Sequence, residues 1–152
     1  MKDPSRYEQF VDAAVEDRDL ARRMLEDDPG LLEARGPLQE TPLHFLAIEG
    51  YLEGVKFLLE LGARPDPRNE FNNTPLMECS QLGNRELVDT LLSAGADPNA
   101  VNTERQSALH FAAEGEQWAV LELLISRGGD AQQSDIYGDT AESLKTRKSQ
   151  GT

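Results

Sequence analysis

The sequence predicts an all-α solenoid, a stack of helix-turn-helix units joined by β-hairpin-like turns. Three observations carry that prediction. The chain superposes on itself when shifted by 33 residues. The matching positions fall on turn residues and on helix seams together. Each unit holds two apolar stripes at helical spacing, both too short to persist alone in water, so the units must stack.

Thr41-Pro42-Leu43 returns as Thr74-Pro75-Leu76, as Ser107-Ala108-Leu109 and as Thr140-Ala141. Val55 aligns with Val88 and Leu121, and Leu58-Leu59 with Leu91-Leu92 and Leu124-Ile125. Comparing 41–73 with 74–106 gives 12 identities in 33 positions without a gap.

Residues 5–40 read as a diverged capping repeat. Phe10, Ala13 and Ala14 mark a first helix; Leu20, Ala21, Met24 and Leu25 mark a second. Asp12, Glu16, Asp17 and Asp19 are placed on the solvated outer face that a terminal repeat needs. Full repeats follow at 41–73, 74–106 and 107–139. In the first of them, Thr41 is the N-cap and Pro42 takes the first helical position, where its missing N–H costs nothing. Leu43, Leu46 and Ala47 form one face, and Gly50 ends the helix in a left-handed conformation. Val55, Leu58 and Leu59 stripe the second helix, which Gly62 ends. Arg64-Pro65-Asp66-Pro67 is extended, because each proline pushes its predecessor out of helical geometry. Asn69 to Asn73 is a tight turn into the next repeat. Residues 140–152 start a helix that ends without a partner helix, with Lys145, Arg147 and Lys148 complementing its dipole and Ser149 to Thr152 expected to fray.

Thr41-Pro42-Leu43-His44 at a 33-residue period resembles the ankyrin repeat. Ser107-Ala108-Leu109-His110-Phe111-Ala112-Ala113 and Gly95-Ala96-Asp97-Pro98-Asn99-Ala100 are close to the family's form. Four departures bear on local detail. Gln39 and Arg105 stand where the hairpin-turn glycine usually sits, with Asn72 at a third such place. Arginine and glutamine tolerate left-handed geometry poorly, so the hairpins at 36–40 and 102–106 are expected to adopt other turns. Gly115 comes one residue before the period requires, with Glu116 at the glycine's own position.

Charge and composition exclude several functions. The net charge is −13, and only 140–152 is net basic, so no stripe suits a nucleic acid. No apolar run reaches the length of a membrane span, and Met1-Lys2-Asp3-Pro4-Ser5 resembles no signal peptide. A single cysteine, Cys79, excludes an intramolecular disulfide, and its place on the inner side of a first helix suits a buried small hydrophobe. A cytoplasmic monomer without cofactor, metal or enzymatic activity is expected.

His44 and His110 occupy equivalent positions two repeats apart, which is too far for a shared metal. The resemblance implies that each knits neighbouring turns together. Trp118 is assigned to packing rather than to binding. Asp27-Asp28 and Glu114 with Glu116 are surface acids without a pocket. Asn72-Asn73-Thr74 matches a glycosylation pattern by chance, since Thr74 opens a helix.

The resemblance implies binding of another protein by the hairpin tips and by the concave face of the first helices. By alignment the tip residues are Leu38 and Glu40; Glu70, Phe71 and Asn73; Thr103, Glu104 and Gln106; Ile136 and Tyr137. The first-helix residues are Ile48 and Glu49; Gln81 and Leu82; and Glu114. Six of these are apolar or aromatic, which suits an interface. The partner expected is a protein, and the charge is compatible with a basic one. The alternative is a dedicated inhibitor or immunity-type protein that neutralises a basic toxin or enzyme.

Overall fold

A computed structural model describes residues 5–151. Those residues form α1 (Arg6–Glu16), α2 (Arg18–Asp27), a 3-10 turn (Pro29–Glu33), α3 (Pro42–Ile48), α4 (Leu52–Glu60), α5 (Pro75–Leu82), α6 (Arg85–Ser93), α7 (Ala108–Glu114), α8 (Trp118–Ser126) and α9 (Ala141–Gln150). The sole strand-like feature among them is one antiparallel bridge between Ser134 and Thr140. The fold is therefore all-α.

Odd-numbered helices stack on odd, and even on even: α3 on α5 on α7 on α9, and α4 on α6 on α8. The capping repeat joins through α1, which lies against both α3 and α4. Each first helix opens the same way. The hydroxyl of Thr41, Thr74 or Thr140 accepts the backbone N–H three residues on, and the residue there reaches back to the cap. Ser107 caps α7 in a variant of this, its hydroxyl accepting from Leu109. These reciprocal caps satisfy the N–H groups that a seven- or eight-residue helix leaves exposed.

The core is a continuous seam of thin layers. Phe10, Leu43, Leu46, Leu58, Leu76, Leu87, Leu91, Leu109, Leu121 and Leu124 are all buried in it. Cys79 is buried there too, and burial pushes its thiol pKa up. Trp118 is partly buried against the same core. The buried ring of Phe57 on α4 is covered by Arg18 and Arg22 of α2, with guanidinium carbons 5.3 and 5.0 Å from its centroid. Those cation–π contacts join the capping repeat to the outer row of helices.

Two expectations, the first and third below, are corrected, and the second point resolves the displaced glycine of the third repeat. First, the hairpins lacking glycine keep the common turn. Gln39, Asn72 and Arg105 take φ of 59, 62 and 60°, beside Gly138 at 81°. The bonds each turn makes to its neighbours are worth more than the local cost of the left-handed residue. Second, Gly115 is not the left-handed residue of its repeat. Glu116 takes φ 58°, matching Gly50 and Gly83 at 77 and 79°. Gly115 serves close approach instead: a Cβ there would sit 2.3 Å from the carbonyl oxygen of Gln81. Third, α9 does not fray at Ser149 but runs through Gln150, with the Ser149 hydroxyl bonded to the Lys145 carbonyl at 2.9 Å. Thr152 lies outside the described residues.

Two substitutions test this account. Leu91→Ala removes a fully buried seam side chain and is expected to cost about 2–5 kcal/mol in urea melts. Arg105→Gly relieves a left-handed arginine that is exposed to solvent. It is expected to raise stability by up to about 1 kcal/mol, whereas destabilisation would show that the turn does not hold residue 105 at positive φ.

Candidate partner-binding surface

The surface begins with how each turn is built. Asn69, Asn102 and Asp135 stand 33 residues apart, and each folds its side-chain oxygen over its own turn. Asn69 Oδ1 accepts the N–H of Phe71 and of Asn73, both at 3.0 Å. Asn102 Oδ1 accepts from Glu104 and Gln106, and Asp135 Oδ1 from Tyr137 and Asp139, all at 2.9 Å. The equivalent residue of the first turn is Gly36, which has no side chain to offer. Glu40 replaces it from the other strand of the turn: its Oε2 accepts the Leu38 N–H at 2.7 Å. A Cβ on Gly36 would meet that carboxylate at 2.1 Å.

Consecutive turns are then zipped together. The N–H of Glu70 donates to the Leu38 carbonyl, and that of Ile136 to the Glu104 carbonyl, both at 3.0 Å. Between them the Thr103 hydroxyl donates to the Phe71 carbonyl at 3.4 Å. Arg35 Nη1 bridges the carbonyls of Gln39 and Arg68 at 2.9 and 2.8 Å. Arg68 Nη1 repeats the bridge one unit on, to Asn72 and Val101 at 2.9 and 2.7 Å.

The histidines sit beneath these turns as ring-shaped spacers. His44 Nδ1 accepts the Thr41 N–H at 3.3 Å, and its Nε2–H donates to the Asn73 carbonyl of the next turn at 3.0 Å. His110 does the same between Ser107 and the Asp139 carbonyl, at 3.1 Å on both sides. At the middle position Met77 offers no ring donor; its sulfur accepts the Thr74 N–H at 3.4 Å. There Asn102 Nδ2 ties to Asn73 Oδ1 at 2.9 Å and joins the two turns. Burial lowers the His44 pKa from 6.5 to about 4, against the pull of the Asn73 carbonyl. The geometry gives the reason: a proton on Nδ1 would face the Thr41 N–H.

This framework sorts the predicted partner-binding residues. Leu38, Phe71, Glu104 and Tyr137 hold one equivalent tip position and all are exposed. Leu38 and Phe71 are 53% exposed, Ile136 53% and Tyr137 70%. Glu70 and Thr103 are also exposed at the tips, as are Ile48, Glu49, Gln81 and Leu82 along the first helices.

Four of these residues are also bonded within the scaffold, and burial counts against a surface role for Asn73 alone. Asn73 is buried and fully engaged: its N–H, its carbonyl and both side-chain groups are bonded, to Asn69, His44, Glu78 and Asn102. Glu40 serves its own turn, as described above, and it faces Tyr7, whose phenol is pushed up by burial and by that carboxylate. Gln106 and Glu114 are half-buried and bonded to each other at 2.7 Å. Burial pushes the Glu114 carboxyl up from 4.5, while His110 and Gln106 pull against it. Alignment placed Asn73 on the surface because it marks a position, not the direction its side chain takes.

One exposed residue on the same face was missed. Phe45 lies on α3 and is exposed. The signal for it was present, since Phe45, Ile48 and Glu49 follow helical spacing. Among the described residues no group of three or more His, Cys, Asp or Glu side chains could hold a metal. No helix among them is long and apolar enough to cross a membrane.

Stacked helix pairs, zipped turns and ring spacers at these positions define a repeat protein built to present its turns and first helices. The family model for ankyrin repeats matches residues 10–102 as three copies, and the chain belongs to the ankyrin-repeat family. It is similar to the serine/threonine-protein kinase VIK of Arabidopsis thaliana, 40% identical over 62 residues, which are 41% of this chain and 14% of that protein. It is similar to the transient receptor potential channel pyrexia of Drosophila melanogaster, 35% identical over 113 residues, 74% of this chain and 12% of that one. It is similar to NF-kappa-B inhibitor alpha of Sus scrofa, 31% identical over 114 residues, 71% of this chain and 36% of that one. The chain thus spans about a third or less of these relatives. Its repeats are a protein–protein interaction module.

The His44 geometry makes a pH prediction. The folded pKa lies below the unfolded one, so the unfolded state takes up the proton first as pH falls. Stability from His44 is complete above pH 6.5 and is lost as pH falls to about 4, an effect on the order of 3 kcal/mol. By NMR the His44 ring is expected to stay neutral at pH 5.5. Titration near pH 6.5 would place the ring in water.

Proposed function

We propose that the chain binds a protein partner across its hairpin tips and the exposed side of its first helices. The observation that supports this most is the tip row. Leu38, Phe71 and Tyr137 occupy one equivalent position in three of the four turns, with Glu104 in the remaining one; they are more than half exposed and stand on backbone that is bonded to its neighbours. A pre-ordered row of apolar and aromatic side chains loses little entropy on binding. Ile48, Leu82 and Phe45 extend it over the first helices, while Glu49, Glu70, Gln81, Thr103 and Glu104 supply a polar, mainly acidic surround. This composition is that of an apolar anchor with a charged rim.

A second reading follows from the charge. At −13, with Glu49, Glu70 and Glu104 on the strip, the chain suits a basic partner, which it would either recruit or block. The Sus scrofa relative is named as an inhibitor, which is compatible with blocking. Acidic residues at the rim act mainly on the association rate.

Affinity purification with mass spectrometry identifies the partner, and calorimetry then tests the strip. Phe71→Ala is expected to weaken binding by about 1–3 kcal/mol while leaving the melting temperature nearly unchanged. Ile125→Ala, an exposed apolar change on the outer helix α8, is expected to leave affinity unchanged. Equal affinities for the two variants would move the site off this strip. Association that does not slow with salt would remove the basic-partner reading.

A further inference from the structure

A second surface lies at the opposite side of the capping repeat from the rest of the stack. Helices α1 and α2 enclose a groove of about 410 Å³. Its walls are two stripes at helical spacing. Arg6, Gln9, Ala13 and Glu16 run along α1; Asp17, Leu20, Met24 and Asp27 run along α2. With ten residues in α2, the groove is about 15 Å long.

Two features set it apart from an ordinary solvated end. The first is its floor. Leu20 is 41% exposed and Met24 half-buried, one turn apart on the same stripe. A terminal face that had only to be soluble would carry polar side chains there. The second is its charge. Asp12, Glu16, Asp17 and Asp27 ring the floor against Arg6 alone. Arg6 also reaches Asp28 at 3.8 Å, and Arg22 pairs with Asp19 at 3.1 Å. Asp17 caps α2 by accepting the Leu20 N–H at 3.0 Å, which holds its carboxylate at the groove's end.

The stack itself shows what such a groove holds. At the next junction the corresponding side of the α3–α4 pair is covered by a helix, α1, which touches both. The 3-10 turn (Pro29–Glu33) touches both α1 and α2, but neither it nor any other described helix lines the groove. We propose that the α1–α2 groove docks an amphipathic helix of a partner protein, one with an apolar stripe for Leu20 and Met24 and a basic face for Asp12, Glu16, Asp17 and Asp27. Helix-in-groove recognition reads anchors at this same spacing, and the ring of carboxylates selects for lysine and arginine on the incoming helix. A second copy of this chain fits less well, because the solvent side of α9 presents Glu142, Thr146 and Gln150, with no apolar stripe.

The probe is a synthetic helical peptide of about five turns with a leucine stripe and a lysine face; its glutamate-faced counterpart is the control. Amide NMR is expected to map the lysine peptide to Gln9, Asp12, Glu16 and Leu20. Leu20→Ser, a surface change, is expected to weaken the affinity at least tenfold by calorimetry, and Asp12→Lys with Glu16→Lys more than that. Phe71→Ala is expected to leave it unchanged, which separates this site from the tip row. Perturbations centred on the tips, equal binding of the glutamate peptide, or an affinity indifferent to Leu20→Ser would each overturn the proposal. So would a dimer in the ultracentrifuge with the groove protected.

Discussion

Every feature of this protein depends on helices too short to survive alone. The first helices of the full repeats have seven or eight residues and the second helices nine, below the length at which an isolated helix holds together in water. Each is kept by its neighbours, through a buried seam of leucine and alanine and through a cap at its start. The layers are thin, so small side chains recur where rows approach closely: Ala47, Ser80 and Ala113 at one equivalent position, and Gly115 against the Gln81 carbonyl. The stack is a chain of local couplings rather than one core.

The same constraint shapes the turns. A turn without helical or sheet partners would leave its polar backbone unsatisfied. Here Asn69, Asn102 and Asp135 satisfy each turn from within, and Arg35, Arg68, His44 and His110 tie it to the next. A ladder this well bonded can carry left-handed Gln39, Asn72 and Arg105. It also holds the tip side chains at a regular spacing, which links the internal bonding of the turns to the binding role proposed for them.

Polar residues at the tips consequently divide into two kinds with different work. Asn73 is buried and Glu40, Gln106 and Glu114 are half-buried, and all four are bonded within the scaffold. Glu70, Thr103 and Glu104 sit at the solvent edge beside Phe71 and Tyr137. Substituting the first kind reports on stability, and substituting the second tests the recognition proposed for the tips. An affinity loss measured at Asn73 would therefore speak of the turn before it spoke of a partner.

What the sequence determined alone was whatever recurs. The 33-residue period, the Thr-Pro-Leu caps, the glycines after Leu61 and Ala94, and the apolar stripes each repeat, and repetition converts weak local signals into a fold. The exposure of Leu38, Phe71, Ile136 and Tyr137 was legible for the same reason, because a repeat position that serves neither seam nor cap has only solvent to face. Tertiary structure alone decided the places where one residue substitutes for another. Glu40 fills the space above Gly36, Asn102 bridges to Asn73 where Met77 lacks a ring donor, and Glu116 rather than Gly115 turns left-handed. In each case the deciding atom belongs to another part of the turn or to the next repeat. A side chain's direction is set by the hydrogen-bond partners folding brings within about 3 Å, and a linear pattern holds no record of them.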